Sequence, residues 1–197
     1  MKHNVCVFSS SSVTLAEKFY EDAKELGKLL GENNMTLVYG GSSVGTMYET
    51  AKYAKIYGAK IIGVMPEKLY GFGVSSEECD EFHLTPDMRT RKSKMDELSN
   101  VVIAMAGGFG TLEEVSEMIV QKQLGYNNKP IVFLNTNGFY DNLFKFFENI
   151  IDGSFAKHTA RELFYVASTP QEAIEYILNY DYKIIERTKE DIYTKAV

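Results

Sequence analysis

Short apolar runs alternate with longer amphipathic segments along this chain, and the alternation restricts the folds that it can adopt. The run NVCVF at residues 4–8 precedes a segment whose apolar residues recur at helical spacing between residues 15 and 30. The first pattern predicts a buried strand and the second predicts a helix. Repeated units of this kind are typical of a doubly wound α/β sheet. We therefore predict a Rossmann-like, mainly parallel sheet with helices on both faces.

The rest of the chain repeats this pattern. Further strand-like runs lie at residues 35–39, 59–65, 82–84, 100–104, 131–135 and 163–167. Helical spacing recurs at residues 44–54, 87–99, 111–124, 140–151 and 170–178. With 197 residues, 45% hydrophobic and 24% charged, the chain has the size and composition of one globular domain. We predict a single domain over residues 1–180, a charged tail over residues 181–197, and a mobile loop over a site at residues 67–80.

Charge, apolar runs and cysteine content narrow the function classes. A net charge of -6 argues against a nucleic-acid partner, which would require a basic surface. No apolar run suits a signal peptide or a membrane span, so no membrane partner is expected. Cys6 and Cys79 are too few for a disulfide framework, and His3, His83 and His158 lack metal-binding spacing. We expect a cytoplasmic protein without a metal or an organic cofactor.

Two predicted strands run into similar glycine turns, YGGSSVGTM at residues 39–47 and AGGFGTLEE at residues 106–114. In each turn a Gly-Gly pair lets the backbone approach a ligand, and a Gly-Thr pair opens a helix whose free N–H groups favour an anion. Both turns would lie at the carboxyl edge of the sheet, where Gly40 and Gly41 would help to hold a nucleotide-sized ligand. Two tight turns without a ligand are the alternative. Neither turn has P-loop or dinucleotide-binding spacing, which disfavours an ATPase or an NAD enzyme.

A basic segment, MRTRKSK at residues 88–94, directly precedes the strand that leads into the second glycine turn. Side chains three positions apart share one side of a helix, so only one or two of these basic residues would face an anion site. The alternative is a solvated basic face.

Two adjacent carboxylates, Glu113 and Glu114, follow the second glycine turn at the start of a predicted helix. Acids at this place complement the helix dipole, by about 0.3 to 1 kcal/mol each. A carboxylate one turn beyond a phosphate-binding loop would also reach the sugar of a nucleoside monophosphate. There it would stabilise positive charge at the anomeric carbon or orient a water.

Taken together, these motifs resemble those of the Lonely Guy family of cytokinin-activating phosphoribohydrolases, which are often described as lysine decarboxylases. The family pattern P-G-G-x-G-T-x-x-E matches residues 106–114, with Ala106 in place of the proline. The pattern M-x-x-R-K matches Met88, Arg91 and Lys92. Similar stretches extend over nearly the whole chain, from VCVFSSSS to NGFYDNL at residues 137–143.

The resemblance implies a Rossmann-like homodimer that hydrolyses the N-glycosidic bond of an adenine-type nucleoside 5′-monophosphate. The products would be the free base and ribose 5-phosphate, and no cofactor is implied. Arg91 and Glu114 correspond to the catalytic pair of the family. The expected substrate contacts on the phosphate loop and beside it are Gly107, Gly108, Gly110, Thr111, Lys92, Glu113, Met88 and Ser9.

Three departures from the family bear on this expectation. Ala106 replaces the proline and makes the turn less restricted in the unfolded chain, an effect of about 0.4 to 1 kcal/mol on stability. Arg89 stands where the family often has a histidine, and Ser9 and Ser10 stand near a common Cys-Gly pair. These changes bear on the base and sugar contacts. No pyridoxal-phosphate lysine signature supports a decarboxylase.

Two rival hypotheses come from other classes. A nucleotide-binding or cofactor-carrier protein would use the same fold without chemistry, and its affinity would tolerate Glu114→Gln. A purely structural Rossmann-like subunit would neither bind nor turn over a nucleotide.

Overall fold

The computed structural model describes residues 3–182 and contains a seven-stranded sheet. Every neighbouring pair of strands is parallel, so the predicted mainly parallel sheet is confirmed. Of the charged tail predicted at residues 181–197, all but the first two residues lie outside the described part. The strands are β1 (Asn4–Phe8), β2 (Thr36–Tyr39), β3 (Lys60–Pro66), β4 (Glu81–Thr85), β5 (Val101–Ala104), β6 (Ile131–Leu134) and β7 (Tyr165–Ala167).

Helices connect the strands and cover both faces of the sheet, as predicted. They are α1 (Glu17–Glu32), α2 (Gly45–Ile56), α3 (Glu67–Tyr70), α4 (Met88–Leu98), α5 (Phe109–Gln123), α6 (Asp141–Asp152) and α7 (Pro170–Leu178). Short 3-10 helices at Thr136–Gly138 and His158–Glu162 complete the described elements. Within residues 3–182, no helix combines the length and apolarity that a membrane span requires.

The two faces of the sheet carry separate hydrophobic clusters because neighbouring residues of a strand point in opposite directions. On β1, Val5 and Val7 pack beneath α1, α2 and α7. The intervening Cys6 and Phe8 pack on the other face, beneath α4, α5 and α6. Strand residues are therefore apolar on both sides, which explains why the sequence shows short continuous apolar runs.

The order of the strands is β4-β3-β2-β1-β5-β6-β7, so the direction of winding reverses between β1 and β5. At such a reversal the connections leaving two adjacent strands turn to opposite faces and open a crevice at the carboxyl edge. The loop after β1 begins at Ser9, and the loop after β5 contains the glycine turn at residues 106–110. The topology thus brings two of the predicted site segments together.

Some local features differ from the sequence prediction. Helix α5 begins at Phe109, two residues before the predicted start, because Phe109 and Gly110 already belong to its first turn. Segment 67–80 begins with the short helix α3, and its far end is fixed by backbone hydrogen bonds. Ser43 N–H donates to the Val74 carbonyl, and Ser76 N–H donates to the Gly41 carbonyl, both at 2.8 Å. Residues 74–76 are thus tied to the first glycine turn, and the mobility of residues 67–80 remains a prediction.

Candidate active site

The start of α5 lies at the crevice between β1 and β5 and presents backbone N–H groups. Gly108 precedes the first helical residue, Phe109, and no side chain within residues 3–182 caps this turn. A methyl group added at Gly108 or Gly110 would meet no described atom within 4 Å. Uncapped N–H groups and the positive end of the helix dipole favour an anion at this open place.

Thr111 ties the start of α5 to the loop after β1. Its hydroxyl donates a hydrogen bond of 3.0 Å to the carbonyl of Ser9, and the residue is buried. Gly107 lies directly against this hydroxyl, since an added Cβ would come within 2.2 Å of the Thr111 Oγ1 atom. The structure thus brings Ser9, Gly107 and Thr111 together, and it occupies the Thr111 hydroxyl proton with a protein contact.

Arg91 of α4 and Glu114 of α5 form a buried ion pair across the two helices, with 6% and 7% of each residue exposed. The Arg91 Nη1 group donates to Glu114 Oε1. The Nε group of the same guanidinium donates to the Val64 carbonyl at 3.1 Å, near the end of β3. Both catalytic candidates are therefore held in one place by packing and by hydrogen bonds.

The buried position of Glu114 changes its titration. Burial raises the pKa of the Glu114 carboxyl above its ordinary value, while the Arg91 charge acts to lower it. The neighbouring Glu113 charge raises the pKa of Glu114 further, and Lys92 lowers it. A raised carboxyl pKa beside a single guanidinium is typical of catalytic sites.

Lys92 forms a second, outer link between α4 and α5. Its Nζ atom pairs with the exposed Glu113 carboxylate and lies 2.5 Å from Glu117 Oε2. Burial disfavours the charged lysine, but the hydrogen bonds to both carboxylates raise its pKa. Glu117 was not predicted from the sequence, although its spacing of one helical turn from Glu113 places both carboxylates on the same side of α5.

The other predicted residues of α4 lie outside the Arg91–Glu114 pair. Met88 and Arg89 are exposed in the first turn of the helix. Asp87 caps this turn by accepting a 2.8 Å hydrogen bond from Thr90 N–H. Lys94 pairs with Glu97 at 3.1 Å along the same helix. The expectation that only one or two basic residues face the site agrees with these contacts. Met88 remains a predicted substrate contact.

The first glycine turn differs from the second because the chain itself fills the start of α2. Met47 N–H donates to the Ser10 carbonyl at 3.2 Å. An added Cβ at Gly45 would lie 2.4 Å from that same carbonyl oxygen. Gly40 and Gly41 are buried, and a Cβ added to them would lie 2.4 Å from Met47 Cε and 2.8 Å from Phe82 Cε2, respectively, so close packing favours glycine at both positions. Their role as ligand contacts remains a prediction.

Within residues 3–182, no group of three His, Cys, Asp or Glu side chains is arranged so that it could bind a metal ion. The chemistry available at the crevice is that of a carboxylate, a guanidinium and backbone N–H groups. A site of this kind at the switch point of a parallel sheet places the chain among the Rossmann-like α/β proteins.

Comparison with known proteins identifies the family. Residues 47–177 match the family described as "Possible lysine decarboxylase". A relative from Oryza sativa subsp. japonica named "Probable cytokinin riboside 5'-monophosphate phosphoribohydrolase" is 41% identical, over 89% of this chain and 72% of its own. A cytokinin riboside 5′-monophosphate phosphoribohydrolase of Arabidopsis thaliana is 35% identical, over 89% of this chain and 82% of its own. The chain belongs to this family, the Lonely Guy family.

Solved structures with the same fold include proteins with a different role. The molybdenum cofactor binding protein of Rippkaea orientalis has a TM-score of 0.70 and 26% identity, and the match covers 90% of this chain and 96% of that protein. The molybdenum cofactor carrier protein of Chlamydomonas reinhardtii has a TM-score of 0.68 and 28% identity, with 90% and 97% covered. The fold alone therefore does not decide between an enzyme and a carrier.

Proposed function

We propose that this protein hydrolyses the N-glycosidic bond of a nucleoside 5′-monophosphate of the AMP or cytokinin riboside type. The products are the free base and ribose 5-phosphate. The observation that carries this proposal is the buried Arg91–Glu114 pair, which lies on the same helix pair as an uncapped helix start that suits a phosphate. The names of the relatives in rice and Arabidopsis support the same reaction.

The spacing along α5 suits the two ends of a ribose phosphate. Glu114 lies six residues beyond Gly108, which is roughly 9 Å along a helix axis. Its side chain leans toward the start of the helix, which shortens the gap. In this proposal the N–H groups from Gly108 to Thr111 bind the 5′-phosphate, and Gly107 permits the tight turn. Glu114 faces the anomeric carbon.

The reaction then needs few groups. The C1′–N bond breaks, its electron pair leaves with the base, and positive charge develops at C1′. The Glu114 carboxylate stabilises that charge and takes a proton from the water whose oxygen bonds to C1′. The departing base, which carries the electron pair, takes up one proton, so the proton released by the water and the proton gained by the base are equal in number. Arg91 holds the carboxylate in place and favours its charged form.

The remaining candidates take outer positions in this proposal. Lys92 and Glu113 neutralise each other at the mouth of the crevice and are available to ribose hydroxyls. Ser9 lies beside the phosphate loop through its carbonyl contact with Thr111. Met88 is exposed at the start of α4 and supplies an apolar surface for the base.

The test is a chromatographic assay for released base from AMP and from N6-isopentenyl-AMP, with Glu114→Gln beside the wild type. We expect turnover by the wild type and its loss in Glu114→Gln, with nucleotide binding largely retained. Glu97→Gln, an exposed carboxylate on the outer side of α4, serves as the matched control and should keep wild-type turnover. A wild type that binds both nucleotides but releases no base would contradict the enzymatic proposal.

A carrier of a phosphorylated cofactor is the second candidate, favoured by the two molybdenum cofactor proteins that share the fold. It predicts tight binding of a phosphorylated ligand that is insensitive to Glu114→Gln. The base-release assay separates the two because a carrier has no turnover to lose.

We further propose that the protein works as a homodimer. An apolar groove of about 370 Å³ lies between α5 and α6, and its lining begins at Leu112, next to the proposed phosphate loop. Six of the side chains that line it are Leu112, Ile119, Val120, Leu143, Phe146 and Phe147. An exposed apolar groove of this size suits a second copy of the chain. A cytoplasmic location is also part of the proposal, and the free thiols of Cys6 and Cys79 suit a reducing compartment.

A further inference from the structure

Gly40 follows the last residue of β2 and is buried beside the proposed catalytic pair. Its φ angle lies outside the left-handed region, so backbone conformation does not require glycine here. A Cβ atom built on Gly40 would lie 2.4 Å from the Met47 Cε atom and 2.6 Å from the Arg91 Nη2 atom, closer than real Cβ atoms come, so the ends of both side chains would have to shift. The methyl end of Met47 is flexible. The Arg91 guanidinium is held by the Val64 carbonyl and by Glu114, so its shift disturbs the ion pair.

The two side chains above Gly40 meet there from different helices. Arg91 reaches it from α4 and Met47 from α2, and both come within 2.6 Å of one point above the Gly40 Cα atom. The guanidinium is fixed on its other sides by the Val64 carbonyl and by Glu114. Gly40 therefore lies directly against the guanidinium, and the methyl end of Met47 lies against the same point.

We propose that Gly40 is a positioning residue for the reaction, because its missing side chain leaves the space in which the Arg91 guanidinium meets Glu114. This inference rests on the proposed function for its kinetic consequences. It gives Gly40 a role through Arg91 rather than through contact with the ligand. Met47 acts with Gly40, since its methyl end closes the same space.

The consequence of a methyl group at Gly40 follows from the charges around Glu114. The positive groups that face its carboxylate are Arg91 and Lys92 of α4, and the neighbouring negative group is Glu113 of α5. The Cys6 thiol of β1 is also affected by these charges. Burial raises the pKa of that thiol far above its ordinary value, the Glu114 charge raises it and the Arg91 charge lowers it. Displacement of the guanidinium weakens its hydrogen bond and its attraction to the carboxylate, so the pKa of Glu114 rises further.

The first experiment compares Gly40→Ala with the wild type in the base-release assay. We expect kcat to fall by about tenfold to a hundredfold, as for a catalytic group displaced by up to 1 Å, with the KM for AMP unchanged. The acid limb of the kcat profile should move to higher pH. Glu97→Gln, on the outer side of α4 and away from the pair, is the control and should keep wild-type kcat. Wild-type kcat in Gly40→Ala would overturn the proposal.

A double variant, Gly40→Ala with Met47→Ala, separates the two neighbours of the new methyl group. The double variant removes the Met47 contact but leaves the methyl group against the guanidinium, so kcat should stay low. Recovery of wild-type kcat would show that the loss came from Met47 and would overturn the role of Gly40 toward Arg91.

A readout without turnover keeps this inference distinct from the proposed function. Carboxyl-selective ¹³C NMR follows the titration of Glu114, which should move to higher pH in Gly40→Ala whether or not the protein is an enzyme. An unchanged titration would overturn the positioning role, whereas absent base release by the wild type would overturn only the proposed reaction. If Gly40→Ala does not fold, the double variant with Met47→Ala relieves the closer contact and keeps the methyl group against Arg91, and an unchanged Glu114 titration there is the overturning result.

Discussion

Glu114 is a buried carboxyl group whose charge depends on very few neighbours. Water would normally stabilise a carboxylate, but here that stabilisation is largely replaced by one guanidinium, from Arg91. Burial raises the pKa of Glu114 and Arg91 lowers it, so small movements of either side chain change the fraction that is ionised. The protonation state of one residue thereby reports on the geometry of the whole site.

The pH dependence of the reaction follows from this balance. The active form in the proposed mechanism is the carboxylate, which predominates above the pKa of Glu114 and is lost below it. Because that pKa is raised in the free protein, kcat/KM should fall on acidification at a pH above the ordinary carboxyl value of 4.5. The profile of kcat/KM against pH measures the pKa in the free enzyme.

A neighbouring charge provides the check on this assignment. The Glu113 charge raises the pKa of Glu114, so Glu113→Gln should move the acid limb of kcat/KM to lower pH. An acid limb that stays in place in this variant, or that lies at 4.5 or below in the wild type, would contradict the assignment to Glu114.

Some features of the site can be recognised from the sequence of a single segment, and others cannot. Glycine turns and helix-start acids are recognisable locally, because their chemistry depends on the next few residues. The pairing of Arg91 with Glu114 is not local, since the two residues are 23 positions apart and a strand lies between them. That these two residues act together was expected only from the resemblance to the family. The contacts of Gly40 with Arg91 and Met47 have no sequence signal, because they depend on how three elements pack.

At the scale of elements, the start of α5 is the feature most adapted to a ligand. Gly108 and Gly110 leave its backbone N–H groups open, although glycine weakens a helix. We expect Gly110→Ala to stabilise the ligand-free protein by up to about 1 kcal/mol, since alanine favours a helix. The same variant should bind AMP about tenfold more weakly or worse, because the methyl group displaces a charged hydrogen bond.

Two measurements on this one variant test the assignment of the phosphate to α5. Thermal denaturation without ligand gives the stability change, and calorimetric titration with AMP gives the affinity. If Gly110→Ala gained stability and bound AMP as tightly as the wild type, the phosphate would not lie at this helix start.

The boundaries of the long elements could be predicted well because their patterns are strong. The α7 range of residues 170–178 matches the prediction, and Thr169 caps it through a hydrogen bond from Glu172 N–H. Short elements were missed, including α3 and the 3-10 helix at Thr136–Gly138, because three or four residues carry no periodicity. The fixed end of segment 67–80 was missed because its partners, Gly41 and Ser43, lie in another loop.

On the scale of the whole molecule, the groove between α5 and α6 is the surface that bears on assembly. Phe146 lines it and is 58% exposed in the single chain. We expect Phe146→Glu to convert the proposed dimer into monomers, because a buried charge without a partner opposes association. Sedimentation analysis measures the mass of the particle in solution.

The control for this prediction is Ile56→Glu, at the end of α2 on the opposite face of the sheet. Ile56 is 64% exposed and takes no part in the groove. This variant should retain the wild-type mass. A dimer that persisted in Phe146→Glu would place the interface on another surface.

The fold as a whole could be predicted from the regular alternation of strand and helix, which determines a parallel sheet by chain connectivity alone. The order of strands could not, because nothing in a single strand specifies its neighbours. The reversal between β1 and β5 therefore came only from the structure. That reversal is what places residues 9–12 and 106–110 around one crevice.

The hydrogen bonds that join this crevice have a consequence for folding. Thr111 reaches the Ser9 carbonyl across 102 residues, and Ser10 N–H donates to the Thr46 hydroxyl across 36 residues at 3.1 Å. Such contacts require long loops to close, which costs conformational entropy. We therefore expect them to form only once the central strands have paired. A partly folded chain thus lacks the ligand site. A newly made protein acquires it only when its central strands have paired.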